Sequence, residues 1–116
     1  MSHQLSPHFK RDEMACKCGC GFDTIDVETL QVAEKVREFV NGPVIILSAA
    51  RCHAHNKEVH GSKNSQHVLG RALDLFVDDP KKVYAWLCDE YPGVYGFGLY
   101  STFVHIDTRT DGPARW

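Results

Sequence analysis

The chain has 116 residues, 43% of them hydrophobic, which is enough to build one compact core. Its formal net charge is −2, with acidic and basic residues mixed along the chain, and this excludes the basic stripe that nucleic-acid binding requires. No apolar run approaches the roughly 20 residues needed to cross a bilayer. We therefore expect a single monomeric domain over residues 1–116, with no nucleic-acid partner and no membrane span.

The N-terminus lacks the basic and apolar regions of a secretory signal peptide. We therefore expect a protein that is made in the cytoplasm. If its substrate lies outside the cytoplasm, cell lysis, a phage holin or attachment to a virion would have to bring enzyme and substrate together. Residues 1–24 are polar with scattered aromatic side chains, and Gly19-Cys20-Gly21 marks a turn. This segment is predicted to be an irregular lead-in that wraps the domain.

Three of the five cysteines, Cys16, Cys18 and Cys20, are too close in sequence to form mutual disulfides of relaxed geometry. Their alternating spacing is compatible with a soft metal ion. Structural zinc sites, however, usually show Cys-x-x-Cys spacing with a second pair of ligands downstream. The pattern therefore favours a Gly-rich turn packed with small apolar thiols over a metal site.

The first predicted helix begins after Asp26, a suitable N-cap, and ends at Asn41-Gly42, because apolar residues recur at helical spacing between them. Residues 44–48 form a short β-branched run that predicts a buried strand. Residues 49–70 carry four histidines with little periodicity, and a connection of this length is expected to be functional.

The second half of the chain alternates strand and helix. Residues 71–77 predict a strand, and Pro80 starts a helix at its first position. Residues 94–100 and 103–108 are rich in aromatic and β-branched side chains and have the spacing of a hairpin.

Two histidines and one aspartate in this half are the ligand types of an open catalytic zinc site, namely His67, Asp74 and His105. Asp74 lies within an otherwise apolar strand, where a buried carboxylate needs a partner, and a metal ion is one such partner. Taken singly, each residue also has an ordinary explanation, as a surface-facing strand position or a hydrogen-bonded structural histidine.

Three segments together resemble the M15 family of D-alanyl-D-alanine metallopeptidases in order and spacing. They are Ser48-Ala49-Ala50-Arg51 with His55-Asn56, then Ser65-x-His67-x-x-Gly70-x-Ala72-x-Asp74, and Phe103-Val104-His105-Ile106-Asp107. The middle motif fixes five residues over ten positions, so it is a specific signal. The stretch from Phe9 to Phe22 and the ending Ala114-Arg115-Trp116 are also similar to the short, phage- and prophage-associated branch.

The resemblance implies the α+β fold shared with the hedgehog signalling domain, with helices on one side of a mainly antiparallel sheet. It implies Zn²⁺ bound by His67, Asp74 and His105, and hydrolysis of peptidoglycan stem peptides in the cell wall or periplasm, as a carboxypeptidase or an endopeptidase. Arg51 would meet a substrate carboxylate or the developing oxyanion. Ser65 would bind substrate or brace the ligand loop.

The general base is the missing part of this assignment. Many M15 relatives have an acidic residue three positions before the last histidine ligand, where this chain has Thr102. Asp107 is a substitute on the same face of the strand as His105, or else it only orients that histidine. His53 and His60 are further candidates for acid or base. Thr102 also favours a rival hypothesis, a zinc-bearing binding or structural module without turnover.

Overall fold

The computed structural model describes residues 3–62 and 65–116 and has an α+β architecture. Its strands are β1 (Gln4–Ser6), β2 (Phe9–Lys10), β3 (Ile45–Ser48), β4 (Ala72–Phe76), β5 (Gly96–Leu99), β6 (Phe103–Asp107) and β7 (Ala114–Arg115). Its helices are α1 (Val27–Val40), α2 (His53–Glu58) and α3 (Pro80–Glu90), and short 3₁₀ helices span Arg11–Met14 and Gln66–Leu69. The predicted fold class is confirmed.

The main sheet has five strands in the order β3-β4-β6-β5-β7. All neighbouring strands run antiparallel except β5 and β7, which are parallel. The strands β1 and β2 form a separate antiparallel pair. The sheet is therefore mainly antiparallel, as the family resemblance implied.

Local signals set the ends of the two long helices. The Asp26 side chain accepts a hydrogen bond from the N–H of Glu28, and Asn41 ends α1 in the left-handed conformation at φ 51°. Pro80 is the first residue of α3, and Asp79 caps that helix. In residues 3–62 and 65–116, no helix combines the length and apolarity that a bilayer span requires.

The two faces of the sheet have different chemistry. Leu73 and Leu75 of β4 and Ile106 of β6 join the hydrophobic core with residues of α1 and α3, and Phe39 stacks on Trp86 where those helices meet. Because side chains alternate along a strand, the polar residues between these core positions lie on the opposite face. Helices α1 and α3 thus cover one face of the sheet and leave the other for a site.

The prediction of an irregular lead-in was wrong for residues 4–14. This segment contains β1, β2 and a 3₁₀ helix, and it buries Phe9 and Met14 in the core. The N–H of Ala50 donates to the carbonyl of Met14 at 3.1 Å. The two strands have only three and two residues, too few to show an alternating pattern, and tertiary contacts stabilise them.

Candidate metal centre and cleft

The three predicted metal ligands converge on the face of the sheet opposite α1 and α3. Asp74 of β4 and His105 of β6 are direct cross-strand partners. The Asp74 carboxylate lies 3.0 Å from Nδ1 of His105 and 3.4 Å from Nε2 of His67. His67 comes from the 3₁₀ helix in the long connection, so three separate segments meet at one carboxylate.

Backbone groups hold His67 in one orientation. Its Nδ1 lies 2.8 Å from the carbonyl oxygen of Ala49, which can only accept, so Nδ1 carries the proton and Nε2 is left with its lone pair. The N–H of Arg51 donates to the His67 carbonyl at 3.1 Å. The Ser65 hydroxyl accepts from the N–H of His67 at 3.2 Å, and Ser65 also lines the cleft described below. The end of β3 therefore aims Nε2 at Asp74.

His105 lies between two carboxylates. Its Nδ1 faces Asp74, and its Nε2 lies 2.7 Å from Oδ2 of Asp107. The Asp107 side chain is fully buried, and Arg109 donates to both of its oxygens at 2.8 and 2.7 Å. Both carboxylate oxygens of Asp107 are thus already hydrogen-bonded, on the Nε2 side of the His105 ring.

The charges and hydrogen bonds in this group shift the pKa values of its acidic and basic side chains. Burial disfavours the charged form of Asp74, but hydrogen bonds from His105 and His67 hold its pKa well below its ordinary value. Burial likewise disfavours ionised Asp107, and the Arg109 guanidinium and His105 keep its pKa low. Burial opposes protonation of His105, yet hydrogen bonds to Asp107 and Asp74 raise its pKa. Both aspartates are therefore carboxylates at neutral pH.

The residues present fit a zinc ion. The donor atoms of His67, Asp74 and His105 all lie within 4.8 Å of one another. The carbonyl oxygen of Ala49 fixes the proton of His67 on Nδ1, which leaves Nε2 for the metal ion. Asp107 is placed to fix the proton of His105 on Nε2, which leaves Nδ1 for the metal ion. Metal-bound histidines generally donate their other N–H in this way. The set leaves one side open to the cleft, as in catalytic rather than structural zinc sites.

Two glycines of β5 make room for the centre, and the sequence analysis had not identified them. Gly96 is the cross-strand partner of Asp107, and a Cβ there would lie 2.5 Å from both carboxylate oxygens. Gly98 is the partner of His105, and a Cβ there would lie 2.5 Å from the Trp116 ring. Glycine at alternate positions of a strand is the signal that could have indicated a close approach.

A cleft of about 430 Å³ lies over the three ligands. Stacked Tyr100 and Phe103 form part of its wall, with ring centroids 4.4 Å apart, and Trp116 forms another part beside His105. The guanidinium of Arg109 lies 5.4 Å from the Trp116 ring. Arg109 and Trp116 are further site residues that the sequence analysis missed, because neither belongs to the ligand motif.

The side chains considered for the role of general acid or base differ in whether they line the cleft. Among the described residues, Asp74 is the one carboxylate that lines the cleft, and Asp107 lies behind it. Thr102 is exposed at the tip of the β5–β6 hairpin, and neither Thr102 nor His53 is among the described cleft-lining residues. His60 does line the cleft.

Arg51 lines the cleft, and its guanidinium already donates hydrogen bonds to other side chains of the protein. One terminal nitrogen donates to Oδ1 of Asn56 at 3.0 Å, and the other donates to the hydroxyl of Ser48 at 3.1 Å. Its Nε is buried and has no hydrogen-bond partner among the described residues. Gly61 packs against this pair so closely that a Cβ would lie 2.0 Å from Oδ1 of Asn56. The guanidinium is therefore held in position before any ligand binds.

The chain matches the model of a known family. The model of the family described as Peptidase M15 matches residues 7–107 of the chain. The match includes the whole ligand motif and also the N-terminal segment with β2 and α1. Searches of curated proteins and of solved structures returned no match.

Proposed function

The chain belongs to the peptidase M15 family, and on that premise we propose that it is a zinc-dependent hydrolase of peptide bonds in bacterial peptidoglycan. The observation that supports this most directly is the convergence of His67, Asp74 and His105 under a cleft that also contains a fixed arginine. The proposed site of action is the cell wall or periplasm, reached after release or from a virion.

In this proposal His67 binds the zinc ion through Nε2, His105 through Nδ1, and Asp74 through its carboxylate. Zinc, when bound, acidifies water and polarises a carbonyl group, so that no covalent nucleophile is required. The two histidines and the aspartate contribute one negative charge in total, which suits a dication that must remain a Lewis acid.

Arg51 is proposed to bind a carboxylate of the substrate or to stabilise the negative charge that develops on the scissile carbonyl oxygen. Its guanidinium stays charged at all relevant pH values and offers N–H groups in a planar fork. Asn56 and Ser48 pre-orient that fork, so little reorganisation is needed on binding. Stem peptides carry carboxylates, and both a carboxypeptidase and an endopeptidase would use such a group.

Of the two roles considered for Asp107, we propose that it orients His105. Both of its oxygens already accept hydrogen bonds from Arg109 or His105, and the side chain is fully buried. A general base needs an accessible lone pair within reach of the proton it takes. Asp107 lacks that access, whereas a carboxylate behind a ligand histidine raises the basicity of the ligand.

His60 is then the candidate proton acceptor, because it is a titratable side chain on the cleft that is not a metal ligand. His53, at the start of α2, offers a matched control from the same connection. We expect His60→Gln to lower kcat by about 10²-fold or more with zinc content unchanged, and His53→Gln to keep normal turnover. Equal turnover of both variants would exclude His60.

A second candidate function is a zinc-bearing binding module without turnover. It is favoured by Thr102 in place of an acid and by the lack of a free carboxylate among the described residues of the cleft. A module of this kind would bind stem peptides through Arg51 and the aromatic wall but would release no product.

The deciding experiment is release of muropeptides from purified peptidoglycan of several wall types, with zinc content determined on the same sample. His67→Ala is the control for the metal. Product release that is lost together with zinc would support the peptidase, and the product masses would identify the bond. Bound zinc with no release from any wall type would support the binding module.

A further inference from the structure

A second group of metal-ligand side chains lies outside the cleft. The thiols of Cys16, Cys18, Cys20 and Cys52 all lie within 4.8 Å of one another. The first three belong to the lead-in, and the fourth directly follows Arg51 at the N-cap of α2. The spacing in the sequence favoured a Gly-rich turn, because it is not Cys-x-x-Cys and no second pair of ligands follows downstream. The fold instead supplies a fourth thiol from 32 positions beyond Cys20.

The spacing of the sulfur atoms suits a tetrahedral ion. Cys16 Sγ lies 3.4 Å from Cys18 Sγ and 3.8 Å from Cys52 Sγ, and the Cys18 and Cys52 sulfurs are 3.6 Å apart. Zinc–sulfur bonds of about 2.3 Å in a tetrahedron place neighbouring sulfurs about 3.8 Å apart. A disulfide would require about 2.05 Å, and all of these cysteines are free thiols.

The exposure of the group does not suit a turn packed with apolar thiols. Cys18 and Cys20 are exposed and Cys52 is half-buried, so only Cys16 packs like a core residue. Free cysteines with no special role are among the most buried residues in proteins. Exposed thiols that converge on one point instead of on the core require another explanation.

The backbone around the group is arranged for sulfur atoms with negative charge. The N–H of Cys52 points at Sγ of Cys16 at 3.5 Å, and the N–H of His55 points at Sγ of Cys52 at 3.4 Å. Gly19 has a φ of +81°, which lets the chain turn between Cys18 and Cys20.

We propose that Cys16, Cys18, Cys20 and Cys52 form a second metal site, a closed structural site for a zinc ion bound by four thiolates. Soft thiolate ligands in a tetrahedral set select zinc over calcium or magnesium. The ion fastens the lead-in to the chain at Cys52 and so restrains the neighbouring Arg51 at the edge of the cleft. This site is independent of the catalytic zinc in the proposed function.

Metal analysis of single-site variants tests the proposal. The wild-type protein, purified under reducing conditions with zinc, is expected to hold about two zinc ions per chain. His67→Ala removes the cleft ion, and Cys18→Ser, at an exposed position, removes the other. Cys88→Ser is the matched control, because Cys88 lies on α3 and is not in the group. The zinc content of His67→Ala tests the cleft site of the proposed function, and the zinc content of Cys18→Ser tests this second site. The failure of either one is therefore distinguishable from the failure of the other.

Cobalt substitution identifies the ligands directly. The Co²⁺ form of the His67→Ala variant is expected to keep intense sulfur-to-cobalt charge-transfer absorption, and the Cys18→Ser variant is expected to lose most of it. In the zinc-loaded wild type, alkylation of the exposed Cys18 and Cys20 thiols should be slow until a chelator is added. Unchanged zinc content in Cys18→Ser, rapid alkylation of these thiols with zinc present, or disulfides among the four cysteines would each overturn the proposal.

Discussion

Asp74 and His105 face each other across the antiparallel strands β4 and β6, with Oδ1 and Nδ1 3.0 Å apart. The neighbouring register pairs, Leu73 with Ile106 and Leu75 with Val104, lie in the core. A shift of one residue in this register would turn the polar side chain of one of the two strands into the core, so the pairing that builds the sheet also builds the centre.

Asp74→Asn is predicted to abolish metal binding at the centre. Asparagine preserves the shape but removes the negative charge that lies between the two histidines. Turnover should fall by at least about 100-fold, since the loss of even an outer partner of a ligand costs 10–100-fold. Zinc content and peptidoglycan hydrolysis measure the effect, and Asp78→Asn, an exposed change just beyond the same strand, is the control. Full activity of Asp74→Asn would contradict the ligand assignment.

Asp107→Asn separates the two roles considered for Asp107. If Asp107 orients His105, the affinity for zinc and the activity should both fall, by about 10- to 100-fold. If it were the general base, kcat would fall while zinc affinity stayed normal. Zinc affinity by competition with a chelating dye and kcat on muropeptides are the two measurements. Asp111→Asn, at an exposed acid near Arg109, serves as the control.

Arg51→Ala is predicted to lower kcat/KM by about 10²- to 10³-fold without loss of zinc, because one preorganised cation would be removed from the cleft. Arg51→Lys should recover only part of this loss, since an ammonium group cannot make the paired hydrogen bonds to Asn56 and Ser48. Arg71→Lys is a matched control, because Arg71 lies near Asp26 and is not among the described cleft residues. Normal kcat/KM for Arg51→Ala would remove Arg51 from the mechanism.

Gly96→Ala is predicted to destabilise the fold by about 1–3 kcal/mol through overpacking. The added methyl group would meet Asp107 and also Nε of Arg109 at 2.6 Å, and neither can retreat without breaking the buried pair. Urea denaturation measures the free energy of unfolding. Gly42→Ala is the control, since its nearest neighbours would lie 3.9 Å away, and it should change stability by less than about 0.5 kcal/mol. Equal free energies of unfolding for the two variants would show that β5 can shift to accommodate the added methyl group.

The docking of the lead-in is predicted to depend on pH through Glu34 of α1. Its carboxylate accepts from the Ser6 hydroxyl and from the backbone N–H of His8, and the His8 ring lies 2.7 Å away. Burial disfavours ionised Glu34, but these hydrogen bonds lower its pKa below its ordinary value. The contribution to stability is therefore complete above the unfolded pKa of about 4.3 and is lost as the pH falls through the lower folded pKa.

Glu34→Gln should accordingly cost about 1–2 kcal/mol at neutral pH, and the difference from wild type should shrink in acid below the folded pKa. The midpoints of urea denaturation, measured at neutral pH and in acid below the folded pKa, test this prediction. Glu38→Gln, an exposed change one turn further along α1, should have little effect at either pH. A difference that stays constant with pH would mean that the Glu34 charge does not hold the lead-in.

The sequence by itself determined the elements that depend on local signals. Helix α1 follows from its cap at Asp26, its apolar spacing and Asn41, and α3 follows from Pro80, because these effects act within a few residues. The α+β class and the membership of the M15 family also followed from patterns along the chain. The proposed metal ligands came from the resemblance to that family, since a motif records residue types at fixed spacing.

Only the tertiary structure decided which distant residues meet. It placed Arg109 on Asp107, set Gly96 opposite that pair, and brought Cys52 to the three cysteines of the lead-in. No local spacing encodes these contacts, because each depends on strand register or on the path of a long connection. The chemistry of the individual residues was therefore readable from the sequence, and their partnerships arose from packing the sheet, the helices and the lead-in around one core.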